Sequence, residues 1–269
     1  MTWIIIILIA LVLLLLYGIF VEPHLMRVRT IDYDRGQGLK IAQFTDTHFT
    51  WHTTARRLKK FAKNIEENQP DIILFTGDLF DKVSWAKERD LTAYIEVLSE
   101  LTAPLGKFAI FGNHDFEDNN SHFVREILEK SGFTIVNNRS EVLSKSHNAN
   151  YAQPTGKICI SGIDDMREGV PDFAIYPQEA DFSLLMVHEP DSLIQLEQLK
   201  AFDLIIAGHS HGGQIRIGNF RLHNKGSKYF DKGKYEINEK TSLYVNSGIG
   251  LTFLPIRIGV VPEIVYYEI

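Results

Sequence analysis

Seven side chains of metal-ligating type stand in this sequence where a strand-like apolar run gives way to a polar loop. Asp46 and His48 follow residues 39–44, Asp78 follows 72–75 and Asn113 follows 107–111. His188 follows residues 182–187, and His209 and His211 follow 204–207. Imidazole nitrogen mixed with carboxylate and amide oxygen suits manganese, iron, zinc or cobalt, whereas magnesium and calcium prefer oxygen throughout. Seven ligands exceed the roughly four to six positions around a single ion. They fit two divalent transition-metal ions that share a bridging carboxylate, with manganese first among the choices. Two such ions about 3.5–4 Å apart can hold phosphoryl oxygens and a hydroxide, so the chemistry indicated is hydrolysis of a phosphate ester or anhydride.

Each residue taken alone has an ordinary reading. Asp46 is a turn or cap residue, His188 a satisfied histidine after an apolar strand, and His209-Ser210-His211 a polar turn. Their joint occurrence overturns these readings. His24, His52, His122, His147 and His223 match no such position and are read as surface residues. Asp81 reads as a capping or supporting group, and Arg216 and Arg257 are tied to substrate by location alone. The single cysteine, Cys159, lies in a short apolar run and reads as a small core residue; it excludes an internal disulfide and leaves the compartment open.

The elements that must bring these residues together alternate. Residues 39–44, 72–75 and 107–111 read as strands, each followed by a polar loop and then a helix. Helical spacing over 55–68 puts Leu58, Phe61, Ala62 and Ile65 on one face, with Pro70 closing the segment. A long helix is expected over 83–101 and another over 121–130, stopped by Gly132. The second half offers strands at 158–163, 182–187, 204–207, 214–217, 243–245 and 262–267 with few helices between them. The expected fold is α/β, a two-sheet β-sandwich flanked by helices. In α/β sheets the ligand crevice lies at the carboxyl ends of the strands, which is where the candidate residues stand. Residues 144–156 are polar and read as an exposed loop.

Residues 3–21 carry no charge and almost no polarity. That is long enough to cross a hydrocarbon core of about 30 Å as a helix. A cleaved signal peptide would want basic residues before the apolar core and a small-residue cleavage site after it, and neither is present. The segment is read as an uncleaved transmembrane anchor over 1–22, followed by a juxtamembrane linker over 23–38 and a catalytic domain over 39–269. Arg27, Arg29, Arg35 and Lys40 follow the helix and no Lys or Arg precedes it, which places the domain on the cytoplasmic side; the free amino terminus partly offsets this. The chain of 269 residues has 28 Lys+Arg against 34 Asp+Glu, a net charge of −6, and no basic stripe, so no nucleic acid is expected as partner.

The blocks Asp46-Thr47-His48, Gly77-Asp78-Leu79-Phe80-Asp81, Gly112-Asn113-His114-Asp115, His188 and Gly208-His209-Ser210-His211 resemble, in order, the signature of the calcineurin-like metallophosphoesterases. The resemblance implies that Asp46, His48 and His211 hold one metal, that Asn113, His188 and His209 hold the other, and that Asp78 bridges them. It implies a metal-bridging hydroxide as nucleophile, with His114 protonating the leaving oxygen and Asp115 orienting His114 through its other ring N–H. Gly77, Gly112 and Gly208 would let backbone approach the ions. Residues 208–214, 246–250 and 254–257 resemble a membrane-associated branch of the family. That branch includes bacterial phosphodiesterases and enzymes splitting the pyrophosphate of UDP-2,3-diacylglucosamine, a lipid A precursor. The resemblance implies a phosphate-containing small molecule or lipid-nucleotide as substrate. The alternatives are a general phosphodiesterase or phosphatase and, of another class, a non-catalytic metal-binding scaffold. The retained His114-Asp115 speaks against the scaffold.

Overall fold

The computed structural model describes residues 1–33, 36, 38–144, 156–222 and 224–269. The chain opens with helix α1 (Thr2–Phe20), and strand β1 (Arg27–Asp32) follows. The first half continues as β2 (Lys40–Phe44), α2 (Ala55–Asn68), β3 (Ile72–Phe75), α3 (Val83–Lys87), α4 (Thr92–Glu100), β4 (Lys107–Ala109), α5 (Ser121–Lys130) and β5 (Phe133–Ile135). The second half supplies β6 (Arg139–Ser144), β7 (Lys157–Gly162), β8 (Phe182–Met186) and β9 (Leu204–Ala207). The short hairpin β10 (Arg216–Ile217) and β11 (Phe220–Arg221), then β12 (Gly233–Glu236), β13 (Ser242–Val245) and β14 (Glu263–Glu268), complete it.

Two six-stranded sheets result, in the orders β1-β14-β2-β3-β4-β5 and β12-β13-β9-β8-β7-β6. The central pairings are parallel, β2 with β3, β3 with β4, β7 with β8 and β8 with β9. The strand period of two decides which core each side chain enters. Ile72 and Leu74 of β3, with Leu184, Met186, Leu204 and Ile206 of β8 and β9, fill the space between the sheets. Ile73 and Phe75 point the other way, onto Leu58, Phe61 and Ile65 of α2 and Val97 and Leu98 of α4. On the outer face of the second sheet Leu185, Ile205 and Ala207 pack with Leu193 and Phe202. Burial on both faces explains why these strands read as continuous apolar runs.

Two departures from the sequence reading have local causes. Residues 83–101 form two helices, because the Asp90 carboxylate accepts the Thr92 N–H at 2.9 Å and turns the chain between them. Residues 27–32, expected as linker, are the edge strand of the first sheet, paired parallel with β14 from Arg27 opposite Glu263 to Asp32 opposite Glu268. Backbone pairing holds this strand while most of its side chains stay exposed, so no burial pattern marks it. Of the polar stretch 144–156, residues 145–155 lie outside the described residues.

Residues 2–24 make the helix that is long and apolar enough to cross a membrane, and α1 itself is almost wholly exposed except at Gly18. This chain is a single-pass membrane protein.

Candidate metal centre

Five of the ligand-type residues have left-handed backbone: Asp46, His48, Asp78, His209 and His211, with φ of 50°, 41°, 60°, 66° and 49°. Each such non-glycine conformation costs about 1 kcal/mol or more and persists only where the surroundings fix it. Here the surroundings are hydrogen bonds between strand ends. Asp46 N–H donates to Gly77 O at 3.0 Å, His48 N–H to Asp78 O at 3.1 Å and Gly208 N–H to His188 O at 3.1 Å. The Asp46 carboxylate accepts the His209 N–H at 3.0 Å. Close approach requires glycine at two places. A Cβ on Gly112 would fall on the Asp78 carboxylate and the His188 ring, and one on Gly208 would fall on Thr45 and the Asp46 carboxylate.

Ligand atoms of Asp46, His48 and His211 lie within 4.8 Å of one another, as do those of Asp78, His188 and His209. Asp78 stands between the two groups, its Oδ2 3.4 Å from His48 Nε2 and 3.2 Å from His188 Nε2. The ring nitrogens converge in pairs, His211 Nε2 on His48 Nε2 at 3.0 Å and His209 Nδ1 on His188 Nε2 at 3.2 Å. His188 Nδ1 lies 2.7 Å from Thr76 O and His209 Nε2 lies 2.6 Å from Lys225 O. A carbonyl oxygen can only accept, so the proton sits on that outer nitrogen and the lone pair of the inner one faces the centre. Asn113 Oδ1 is buried without a hydrogen-bond partner beside the same cavity. These features fit two metal ions: inward lone pairs, a shared carboxylate and an orphaned amide oxygen.

The charges agree. Burial lowers His209 to about 3, so its ring is neutral. At His48 burial pulls the same way but is outweighed by the carboxylates around its ring, Asp46, Asp81 and Asp78 at 3.8, 3.6 and 3.4 Å, which leave it at about 10. The buried carboxylates Asp46 and Asp78 thus demand positive charge, which divalent ions would supply in place of protons.

His114 sits at the rim. Its backbone N–H donates to Asp78 Oδ1 at 2.9 Å, and its Nδ1 lies 2.7 Å from the carbonyl of Asp81. Asp115 does not orient this ring, contrary to expectation. It is buried and accepts the backbone N–H groups of Asp78, Leu79 and Gly112 at 2.8, 2.9 and 2.9 Å, tying the two loops together. The orienting acceptor is a main-chain carbonyl, which side-chain types do not reveal.

The cavity over this centre, about 310 Å³, is also lined by Arg167, Asn224, Lys225, Thr252 and Phe253, none of which the sequence reading singled out. Arg167 follows the end of β7, so the strand-end rule extended to that strand would have found it. Its loop rests on Asp165, whose Oδ1 accepts the Arg167 and Glu168 N–H groups at 2.9 and 2.7 Å, and on Glu189, which accepts the Met166 N–H at 3.1 Å. Arg257, tied to substrate only by location, is fully buried and donates to the carbonyls of Ser247, Gly248 and Gly250. Arg216 pairs with Asp231 at 3.0 Å. Neither arginine lines the cavity, nor do His24, His52 and His122; His147 and His223 lie outside the described residues.

The family model described as calcineurin-like phosphoesterase matches residues 39–213. The chain belongs to that family. This phosphoesterase is 32% identical to the uncharacterized metallophosphoesterase YkuE of Bacillus subtilis (strain 168), over 94% of this chain and 88% of that one. It is 27% identical to the UDP-2,3-diacylglucosamine pyrophosphatase LpxG of Chlamydia trachomatis serovar D, over 85% of each chain. Among solved structures, a dimetal phosphatase from Danio rerio matches 81% of this chain and 90% of its own, with a TM-score of 0.48 at 11% identity. The phosphoesterase is a metal-dependent hydrolase, and two of its His/Asp groups are able to hold metal ions.

Proposed function

We propose that the protein hydrolyses a phosphodiester or pyrophosphate bond in an amphiphilic, membrane-resident substrate, of which UDP-2,3-diacylglucosamine is an example. The observation that carries this reading is the convergence of two ligand groups on Asp78, with Asn113 Oδ1 buried unpartnered and His114 at the rim. Asp46, His48 and His211 hold one ion, Asn113, His188 and His209 the other, and Asp78 is shared. Manganese is the ion we place first. When bound, the two ions supply Lewis-acid charge for the phosphoryl oxygens and lower the pKa of attacking water. His114 donates a hydrogen bond from Nδ1–H to the Asp81 carbonyl, and in its imidazolium form the Nε2–H is the proton given to the departing oxygen. Arg167 and Lys225 line the same cavity and supply positive charge for the remaining phosphate oxygens. The substrate class draws on the membrane helix and on the likeness to LpxG. We place the domain on the cytoplasmic side, since cationic residues follow the helix.

The test is hydrolysis of bis-p-nitrophenyl phosphate by the full chain in detergent, with manganese or with chelator, beside Asp78→Ala. Turnover is expected with manganese only. Asp78→Ala is expected to lose several kcal/mol of transition-state stabilisation, about 10³-fold or more in rate. Equal rates for the variant and the parent would remove the dinuclear reading. UDP-2,3-diacylglucosamine in mixed micelles then tests the substrate class.

A further inference from the structure

The membrane helix does not hang from the domain on a tether. Gly18 O accepts the Arg257 N–H at 2.9 Å, and a Cβ on Gly18 would come within 2.7 Å of Ile258 and 2.9 Å of Ile256. One turn later the Glu22 carboxylate accepts the Gly259 N–H at 3.0 Å. On the other side α2 grips the chain as it leaves the helix. Arg57 donates to Pro23 O at 2.5 Å and Lys60 to His24 O at 2.9 Å. A spanning helix clamped from two sides fixes how its domain meets the bilayer. Gly18 lies within the last turn of α1, so the segment touching it sits at interfacial depth, about 5 Å or less from where the helix ends.

That segment is bonded to the rim of the metal cavity. Arg216 N–H donates to Ile258 O at 2.7 Å and Ile258 N–H to Gln214 O at 3.0 Å. The Gln214 side chain donates to Thr252 O at 2.9 Å and Leu254 O at 2.8 Å. Several apolar side chains on this unit have no cover. Phe253 is 95% exposed, and Phe220 and Ile217, opposite each other in the β10–β11 hairpin, are 60% and 53% exposed. Leu222, Phe253 and Leu254 line a recess of about 170 Å³ that shares His211, Asn224, Thr252 and Phe253 with the metal cavity. Near the anchor's end α2 carries Arg56, Arg57, Lys59, Lys60 and Lys63. Trp51, 72% exposed, stacks edge-on against His52, which shares a cleft with His24. Apolar rings, a tryptophan and lysines around a membrane helix are what an interface with anionic headgroups recruits.

We propose that residues 214–222 and 251–256, with the basic amino-terminal half of α2, form a bilayer-docking face that holds the metal cavity open to the headgroup layer. The partner is the lipid bilayer that α1 spans. The apolar recess then opens towards acyl chains while a headgroup phosphate lies over the metals; this last step rests on the function proposed above, whereas the membrane contact does not.

The experiment uses the full chain in vesicles of phosphatidylcholine with phosphatidylglycerol. Because the lone Cys159 is buried, single cysteines at Phe220→Cys and Phe253→Cys can each carry an environment-sensitive fluorophore. Glu129→Cys on α5 is the control, beside β5 at the opposite edge of the first sheet from β1. Lipids bearing a nitroxide near the headgroup are expected to quench the labels at 220 and 253 at least threefold more than the label at 129. Equal, water-like quenching at all three would overturn the docking face. The readout needs neither substrate nor metal, so it stands or falls apart from the reaction. A recess without a role in substrate binding would show instead as unchanged KM for a diacyl substrate in Leu222→Glu.

Discussion

The space between the two sheets and the layer at their carboxyl ends are equally buried and oppositely built. Leu184, Leu204 and Ile206 are buried among other hydrocarbon, and so, a few residues beyond the ends of the same strands, are His188 and His211 among charges. The first region gains from every group it removes from water, by about 25 cal/mol per Å². The second region is costly: desolvated carboxylates and strained backbone lower stability until positive charge arrives. The fold therefore divides its labour along each strand, with the sandwich interior stabilising a site that would not form by itself.

This division is tested most strongly at His114. It lies at the rim and contributes little to either core, so His114→Ala is expected to change stability by less than about 1 kcal/mol. Its rate loss should be about 10²–10⁴-fold on an ester with an alkoxide leaving group. With p-nitrophenolate, which leaves without a proton, the loss should be much smaller. Steady-state rates on the two ester types, beside thermal melts, check both halves. Equal losses for the two leaving groups would strip His114 of its role as acid.

Leu184→Ala probes the other region. Leu184 pairs across the second sheet with Ile160 and Leu204 and fills the space between the sheets. Deleting it is expected to cost about 2–5 kcal/mol of unfolding free energy. The rate per folded molecule should stay near that of the parent, measured at a temperature where both are folded. A rate loss matching that of His114→Ala would mean that core packing and site geometry are not separable in this way.

What could be read from the sequence follows the same line. The strand ends were legible because each ligand follows an apolar run, and two-sided burial makes those runs continuous. Helices α2 and α5 were legible from their amphipathic spacing. Strand β1 was not, since an edge strand held by backbone pairing leaves Arg27, Arg29 and Thr30 without a periodic apolar partner. The role of Asp115 was misread because it accepts three main-chain N–H groups, and main-chain donors have no sequence. Arg167, Asn224, Lys225 and Phe253 reach the cavity from loops whose paths only tertiary contacts fix. The docking of Gly18 against Ile256 and Ile258 joins residues nearly a whole chain apart.

Arg167 gives a smaller and more selective test. It lines the cavity on a loop braced by Asp165 and by Glu189, whose carboxyl burial pushes up to about 8. If it contacts a phosphate beyond the one attacked, Arg167→Ala should raise KM about tenfold for a pyrophosphate and less for a simple diester. One charged hydrogen bond is worth about 1.5 kcal/mol, which sets that size. A uniform fall in kcat with unchanged KM would place Arg167 with the reacting atoms instead.

The smallest effect concerns a buried charge at the wrong end of a strand. Lys107 begins β4, far along the strand from the metal ligands, and its Nζ donates to Leu98 O at 2.9 Å and Ser131 O at 2.6 Å. Burial lowers its pKa to about 8, against about 10.4 in an unfolded chain. Between those values the unfolded state binds more protons than the folded one, so stability rises with pH through that window. Below pH 8 the penalty of burying the ammonium is present in full. The neutral amine keeps two hydrogens, one for each carbonyl, so deprotonation removes the penalty without breaking either bond. Lys107→Met leaves both carbonyls unpaired and has no such titration. The advantage of the parent over the variant in urea unfolding is expected to grow by on the order of 1 kcal/mol from pH 8 to pH 10, after allowance for solvent screening. A difference that is flat with pH would mean that this lysine stays charged when folded. Two carbonyls and the face of Phe133 would then hold a buried cation at the amino end of β4, as the carboxylates are proposed to hold cations at the carboxyl ends.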